Sequence, residues 1–313
     1  MDYFLSFDIG GTAIKYGILN EQGEILKQGK LVTPSTLSAF IESIISIKEK
    51  FNNQYKLLGV AFSMPGFVNT QTGYLSTAGA IKYLYDFDFK KILSNKLALP
   101  VELDNDVNCV ALAEKWQGNA QTSSDFLCVT IGTGIGGAIY LNNQLIRGHN
   151  YMAGEFGYTL TANIFSANDK QVTLSNQASV WEGLRARYAK LHGKMEVENI
   201  TGEGIYQWAA QGDKLAIQTI NEFYEAIAMG LYNLTFTLNP EKILIGGAIS
   251  QRDEIYLAIK QKFQQILDYQ NNLKTFSVEQ LVTIEPCKFN NDSGLIGAVY
   301  HFITQTKKNN AAK

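Results

Sequence analysis

Cysteine is scarce in this 313-residue chain, and the three that occur, Cys109, Cys128 and Cys287, are far apart. No Cys-x-Cys or Cys-x-x-Cys pair is present, which argues against a disulfide framework and against a zinc site built on cysteines. We therefore expect a cytoplasmic protein with reduced thiols.

Excess charge and long apolar runs are also missing. Lysine and arginine number 27 against 29 aspartates and glutamates, a balance that argues against a large nucleic-acid-binding face. No apolar run reaches the roughly 18 residues of a membrane-spanning helix, and the opening "MDYFLSFDIG" does not resemble a signal peptide. The composition, 46% apolar and 18% charged, predicts a globular chain, and its length suits two domains.

Strand patterns and glycine turns occur twice in the same order. Three apolar or alternating runs, "YFLSFDI", "IKYGILN" and "EILKQGKLV", precede a helical pattern at 36–51. A second series starts with "DFLCVTIG" and leads into a hairpin whose tip is Asn142-Asn143, a residue type that tolerates positive φ. The sequence thus predicts two α/β domains related by duplication, with 159–178 as an exposed excursion.

One glycine motif matches a dinucleotide-binding loop by its letters. Residues 132–137, "GTGIGG", satisfy G-x-G-x-x-G, and Glu155 follows 18 positions after Gly137. A dinucleotide loop opens a helix, whereas the "AIYLNNQLI" that follows here is alternating and β-branched, which is typical of a strand. We therefore reject a dinucleotide site.

The turns "DIGGT" and "IGTG" each join two predicted strands. Backbone N–H groups of such glycines can cradle phosphate; Thr12 would add a hydroxyl, and Lys15 a charge unless strand alternation turns it away. The alternative is a pair of tight hairpins without a ligand. Two matched turns that both contain threonine favour phosphate.

A second polar cluster is "LDNDVN", where a predicted strand meets a predicted helix. Asp104 and Asp106 flank Asn105. A carboxylate here could take a proton from an attacking hydroxyl, and the amide could bind a polyol. The other interpretation is that one aspartate caps the helix.

Together these motifs resemble the ROK family of bacterial sugar kinases and sugar-sensing repressors, within the actin-like ATPase superfamily. The resemblance runs through "DIGGTAIKYGIL", "SMPGFVN", "ELDNDVNCVALAE", "TIGTGIGGAIYLNNQLIRGHNYMAGEFGY", "ASVWEGL", "PEKILIGGAIS" and "NDSGLIGA". It implies an α/β fold of two actin-like (ribonuclease H-like) domains with a cleft between them. The smaller domain would comprise 1–118 plus 290–313, and the larger 119–289.

The resemblance also implies roles for individual residues. Asp106 would be the catalytic base, and the sugar would be bound by Asn105, Gly66, Glu155, Glu182 and Tyr158. ATP phosphates would lie against Asp8, Gly10, Gly11, Thr12, Lys15, Thr133 and Gly134, with Gly246 and Gly247 beside the adenosine. Asp8 would lie near Mg²⁺, directly or through water. The expected partners are ATP, a sugar and a second copy of the chain in a homodimer, with neither nucleic acid nor membrane.

The chain departs from the family at its zinc motif. Many members bind zinc through a His after the "GE-x-G" segment and three cysteines, but Tyr158 occupies the His position here, and "TLTANIFSANDKQVTLSNQASVWEG" contains no Cys or His. No zinc is expected, and the sugar loop would be held by packing of Phe156, Ile164, Phe165 and Trp181.

The predicted function is an ATP-dependent hexose kinase that acts on the 6-hydroxyl of glucose, N-acetylmannosamine or a β-glucoside. The alternative is a sugar-responsive transcriptional regulator of the same family. It is disfavoured because such relatives carry a helix-turn-helix module before the first phosphate turn, which begins here at Asp8.

Overall fold

The computed structural model describes residues 2–166 and 170–311. The chain forms two compact units: Met1–Thr122 with Arg147–Ala153 and Lys288–Lys313, and Ser123–Ile146 with Gly154–Cys287. The sequence had assigned 147–153 to the larger domain, whereas the structure groups it with the first unit. Residues 167–169, part of the predicted excursion, lie outside the described residues.

The secondary-structure elements are as follows. The strands are β1 (Tyr3–Ile9), β2 (Ala13–Asn20), β3 (Ile25–Val32), β4 (Leu57–Met64), β5 (Val68–Asn69), β6 (Tyr74–Leu75), β7 (Phe87–Asp88), β8 (Val101–Asn105), β9 (Phe126–Ile131), β10 (Ile135–Leu141), β11 (Gln144–Ile146), β12 (Lys242–Gly246) and β13 (Thr283–Pro286). The α-helices are α1 (Leu37–Asn52), α2 (Phe89–Leu97), α3 (Asp106–Gln117), α4 (Leu174–Ala178), α5 (Arg187–His192), α6 (Gly202–Ala210), α7 (Lys214–Leu238), α8 (Asp253–Asp268), α9 (Val278–Leu281) and α10 (Ser293–Ala311).

The first unit is built on a five-stranded sheet in the order β3-β2-β1-β4-β8. β1, β4 and β8 run parallel, whereas β2 and β3 are antiparallel to their neighbours. Successive side chains of a strand face opposite sides of a sheet. Phe7 accordingly belongs to the same buried cluster as Phe40 of α1 and Phe89 of α2, whereas Phe4 belongs to a separate cluster with Val299 of α10.

The second unit repeats this arrangement in the order β11-β10-β9-β12-β13. Again the first hairpin is antiparallel, while β9, β12 and β13 run parallel. Its core joins Leu127 and Ile243 of the sheet to Phe223 of α7 and Phe263 of α8. The identical strand order confirms the duplication expected from the sequence.

Two features differ from the predicted elements. The helix expected at 179–192 is a π-helical segment, Val180–Ala186, followed by α5. Gly183 lies so close to the carbonyl oxygen of Gln177 that a Cβ there would approach it to 2.3 Å. The small sheet β5-β6-β7 was not predicted, because strands of two residues are too short to show alternation.

The predicted hairpin tip at Asn142-Asn143 is confirmed. Asn142 and Asn143 have φ values of 52° and 58°, as the tip of a tight hairpin requires. Among the helices that the structure describes, none combines the length and the apolar character needed to cross a membrane.

Candidate active site

The first glycine turn lies between β1 and β2. Gly10 N–H donates to the carbonyl of Ala13 at 3.1 Å, and the Thr33 hydroxyl donates to the carbonyl of Gly10 at 2.6 Å. Gly11 and Thr12 at its tip are exposed. The turn is therefore held at its base while its tip stays open to a ligand.

Two charged groups flank this turn at its base. Asp8 and Lys15 are cross-strand partners, with Lys15 Nζ 3.6 Å from the Asp8 carboxylate. Lys15 also donates to the carbonyl of Asn291 at 3.0 Å, and Ser63 donates to Asp8 at 2.8 Å. Strand alternation thus places Lys15 on the same side as Asp8.

The strand-to-helix junction carries the predicted base. Asn105, not either aspartate, is the N-cap of α3: its side-chain oxygen accepts from Val107 N at 2.9 Å and Asn108 N at 3.1 Å. The capping hypothesis for Asp104 and Asp106 is therefore wrong. Asp106 is the first residue of α3 and is half-buried, and its carboxylate accepts from Val107 N at 2.9 Å.

Gly66 lies beside this junction. Its carbonyl accepts a hydrogen bond from the Asn105 side chain at 3.0 Å, and its φ is +88°. A Cβ here would approach the carbonyl oxygen of Thr77 to 2.5 Å, so both the conformation and the space require glycine. The structure thus brings together two of the predicted sugar-binding positions.

The second glycine turn lies between β9 and β10. Gly132 N–H donates to the carbonyl of Gly134 at 3.0 Å, and Thr133 and Gly134 are exposed. The Ser175 hydroxyl accepts from Ile135 N at 2.9 Å, and the Val180 N–H donates to the carbonyl of Gly132 at 2.8 Å. Residues from α4 and the π-helical segment therefore brace this turn.

Gly246 and Gly247 lie next to the second turn. Gly246 at the end of β12 pairs with Thr130 of β9. Gly247 has φ +91°, and a Cβ there would come within 2.3 Å of the Ile131 carbonyl oxygen. The predicted adenosine segment and the predicted phosphate turn are thus neighbours within the second unit.

Glu155 follows a close backbone contact. A Cβ at Gly154 would lie 2.5 Å from the carbonyl oxygen of Gly137, so β10 fixes the start of the loop. Glu155 is partly buried, and burial raises the pKa of its carboxyl above the ordinary value. Tyr158, in the next turn of chain, is 69% exposed.

The loop is held in a different way from the one expected. Phe156 is 5% exposed, and its ring lies against Gly137, but Phe165 is 92% exposed and cannot anchor anything. Packing by Phe165 is therefore a wrong prediction. A Cβ at Gly157 would lie 2.3 Å from Ser175 Oγ, which indicates that Ser175 takes part in holding the loop.

Glu182 lies in the π-helical segment, where its N–H donates to the Ser179 hydroxyl at 3.1 Å. It lines a surface groove together with Asn176, Gln177, Arg187 and Lys190. Glu155 and Tyr158 are not among the residues that line this groove. The part of Glu182 in sugar binding stays a prediction.

Ser175 was missed by sequence reasoning. It touches both the second glycine turn, through Ile135, and the Glu155 loop, through Gly157. A serine in a polar stretch without periodicity gives no signal of this role. Within 2–166 and 170–311, no group of three or more His, Cys, Asp or Glu side chains is arranged to hold a metal ion.

Two sheets of the same strand order, each with a glycine turn between its first antiparallel strands, define the class of actin-like ATPase folds. The family can be stated more closely. The chain belongs to the ROK family, whose family model matches residues 4–305. Both the fold class and the family expected from the sequence are confirmed.

Three similar proteins indicate the range of the likeness. A beta-glucoside kinase of Listeria innocua is 37% identical over 305 residues, which cover 97% of this chain and 98% of the relative. A solved ROK family protein from Streptococcus pneumoniae in complex with sucrose has a TM-score of 0.85 and 31% identity, with coverage of 98% and 99%. A ROK family glucokinase from Streptomyces griseus in complex with glucose and AMPPNP has a TM-score of 0.77 and 25% identity, with coverage of 95% and 98%.

Proposed function

We propose that this protein transfers the γ-phosphate of ATP to the 6-hydroxyl of a glucosyl unit and that its preferred acceptor is a β-glucoside. At the level of class, an ATP-dependent sugar kinase, the prediction from the sequence is confirmed by the match to relatives along nearly the whole chain. The choice among glucose-type acceptors follows the name of the 37% identical relative and the disaccharide in the pneumococcal structure.

The observation that carries the proposal is the common edge of the first sheet. β1, β4 and β8 are parallel neighbours, and their carboxyl ends carry Asp8, Gly66 and the Asn105-Asp106 junction. Ligands bind outside the carboxyl ends of parallel strands because loops and helix N-termini converge there. The first glycine turn, which is the candidate phosphate site, and the candidate base therefore share one edge.

The proposed reaction requires that ATP and the sugar be positioned and that one base be present. Phosphoryl transfer needs little covalent help from the protein, and a carboxylate close to the attacking hydroxyl can take its proton. Asp106 is the carboxylate at the helix N-terminus, and Asn105, fixed by Gly66, offers a neighbouring amide. Glu155, whose partly buried carboxylate can accept hydrogen bonds from sugar hydroxyls, is the second sugar-binding candidate.

A divalent metal is implied by the kinase class, and we propose Mg²⁺. Asp8 fits this ion, because it is a carboxylate beside the glycine turn and Mg²⁺ takes few protein ligands while keeping several waters. Lys15 beside it offsets part of its charge. When bound with ATP, the ion would neutralise charge on the phosphate oxygens.

The test is an ADP-release assay over matched acceptors. Methyl β-glucoside, cellobiose, glucose and N-acetylmannosamine are compared, with 6-deoxyglucose as the control that lacks the accepting hydroxyl. We expect the β-linked sugars to give the highest kcat/KM and 6-deoxyglucose to give none above the ATPase background. If no sugar stimulates ADP release, the kinase proposal is wrong. If glucose exceeds both β-glucosides, only the acceptor assignment is wrong.

A further inference from the structure

A buried ion pair lies immediately before the candidate base. The Asp104 side chain is 1% exposed and accepts hydrogen bonds from Arg147 through Nη2 and, at 3.1 Å, through Nε. Its other oxygen accepts from Asn105 N at 2.8 Å and from the Asn108 amide at 3.1 Å. Both carboxylate oxygens are thus engaged, which removes Asp104 as a candidate base and makes it an anchor.

His301 of α10 completes the cluster. Its Nδ1 is 3.3 Å from Asp104 and 3.4 Å from Arg147 Nη2, and the histidine is 1% exposed. Burial alone would raise the pKa of the Asp104 carboxyl, but Arg147 and His301 outweigh it and hold this pKa below its ordinary value. Asp104 therefore stays ionised and Arg147 stays bound in a forked geometry that lysine cannot reproduce.

This cluster fixes the backbone on one side of Asp106 and the helix on the other. Asp104 holds the Asn105 N–H, and Asn105 in turn caps α3 and donates to Gly66. Asn108, the third residue of α3, is held by the same carboxylate. Asp106 thus lies between two anchored residues, and the anchor of both is the carboxylate that Arg147 binds.

Arg147 also closes a loop. Its carbonyl accepts from Ala153 N at 3.1 Å, so residues 147–153 form a short closed segment within the first unit. In sequence this segment leads directly to Gly154 and Glu155. The same arginine therefore holds the Asp106 junction and the chain that precedes the sugar-binding candidate Glu155.

We infer that Arg147 is a positioning residue for phosphoryl transfer, acting through Asp104 on the orientation of Asp106. The inference rests on the proposed kinase function. A buried ion pair is weak evidence for stability, because well-packed apolar residues of similar volume often serve as well. The need to hold Asp106 in one orientation explains why the pair is charged and why Arg147 binds Asp104 through two N–H groups.

The test separates positioning from stability. Arg147→Met removes the charge, and Arg147→Lys keeps the charge but loses the fork. Lys90→Met is the matched control, because Lys90 pairs with Glu102 on the same strand β8, with Nζ 2.7 Å from both carboxylate oxygens. Steady-state kcat and KM for both substrates are measured with the best acceptor of the wild type, alongside melting temperature and circular dichroism.

We expect Arg147→Met to lower kcat by about 100-fold while KM for ATP changes less than about twofold, since a displacement of about 1 Å can cost that much in rate. Arg147→Lys should recover part of kcat, and Lys90→Met should lose melting temperature without losing kcat per folded molecule. If Arg147→Met does not fold, Arg147→Lys decides: reduced kcat in a folded variant supports the inference.

Wild-type kcat per folded molecule in Arg147→Met, or in Arg147→Lys where only that variant folds, would overturn the inference while leaving the kinase proposal intact. If the wild type phosphorylates none of the sugars, the kinase proposal and this inference fail together. The two failures are therefore distinguishable by the behaviour of the wild type alone.

Discussion

The two glycine turns occupy the same place in sheets of identical strand order, yet they are braced by different chemistry. The turn at 10–12 has an acid and a lysine at its base, with Thr33 donating to Gly10. The turn at 132–134 has no charged residue within "TIGTGIGG" and is braced by Ser175 and Val180. The two turns therefore share one position in the strand order, while of the segments 8–15 and 130–137 only the first contains charged residues.

This difference indicates a division of tasks under the proposed function. A carboxylate and an ammonium group at one turn suit a metal ion and phosphate charge. A turn that offers only backbone N–H groups and a hydroxyl suits phosphate by close approach. Variants that alter one turn or one unit at a time test this division of tasks.

The largest expected effect is at Asp106. Asp106→Asn keeps an acceptor for Val107 N but removes the base, so kcat should fall by about 10³-fold while ATP affinity is largely retained. Kinetics and calorimetric titration with ATP provide the measurement. Asp253→Asn is the control, because Asp253 is likewise the first residue of a helix, α8. Equal loss of transfer and ATP binding would instead show a structural role for Asp106.

The sequence was sufficient to predict the hairpins and strands that recur along the chain. Alternation and glycine spacing predicted the two hairpins, and apolar runs predicted β4 and β12, because these signals are local. Arg147 and Asp104 are 43 residues apart, and Ser175 and Ile135 are 40 apart. Such contacts depend on tertiary placement, which no spacing rule in a single sequence reveals. Asn105 was expected to bind sugar; the structure shows it as the cap of α3, and its sugar contact stays a prediction.

A methyl group on the second turn should have the next largest effect. At Gly134 a Cβ would find only Ser175 Oγ at 3.7 Å, an ordinary contact. Gly134→Ala should therefore fold normally, yet raise KM for ATP about tenfold if phosphate approaches the backbone closely. Gly202→Ala, whose Cβ would meet side chains at 3.4 Å or more, is the control. An unchanged KM in Gly134→Ala would remove this turn from the phosphate site.

The braces of the two turns can be compared directly through stability. Ser175→Ala leaves the Ile135 N–H without its acceptor, and Thr33→Val leaves the Gly10 carbonyl without its hydroxyl donor. Each variant should lose about 1 kcal/mol of unfolding free energy. The loss should be larger for Ser175→Ala, because Ile135 is buried whereas Gly10 is partly exposed, so water replaces the missing partner of the Ile135 N–H less readily. Urea unfolding measures both. A larger loss for Thr33→Val would reverse this ranking of the braces.

The smallest expected effect separates function from stability at Glu155. Burial raises the pKa of this carboxyl, so the folded state binds its proton more tightly than the unfolded state. The wild type therefore loses stability as pH rises from the ordinary carboxyl pKa through the raised one. Glu155→Gln, which never ionises, should be more stable than the wild type at pH 7 by less than about 1 kcal/mol, because the side chain is partly exposed. This advantage should disappear below about pH 4, where the wild-type carboxyl is protonated.

The same variant loses a charged acceptor for sugar hydroxyls, so its KM for sugar should rise while its stability at pH 7 rises. Thermal unfolding at several pH values measures the stability, and steady-state kinetics measure the KM. A variant that is less stable at pH 7 would show that Glu155 has a structural role, and an unchanged KM for sugar would remove it from the sugar site.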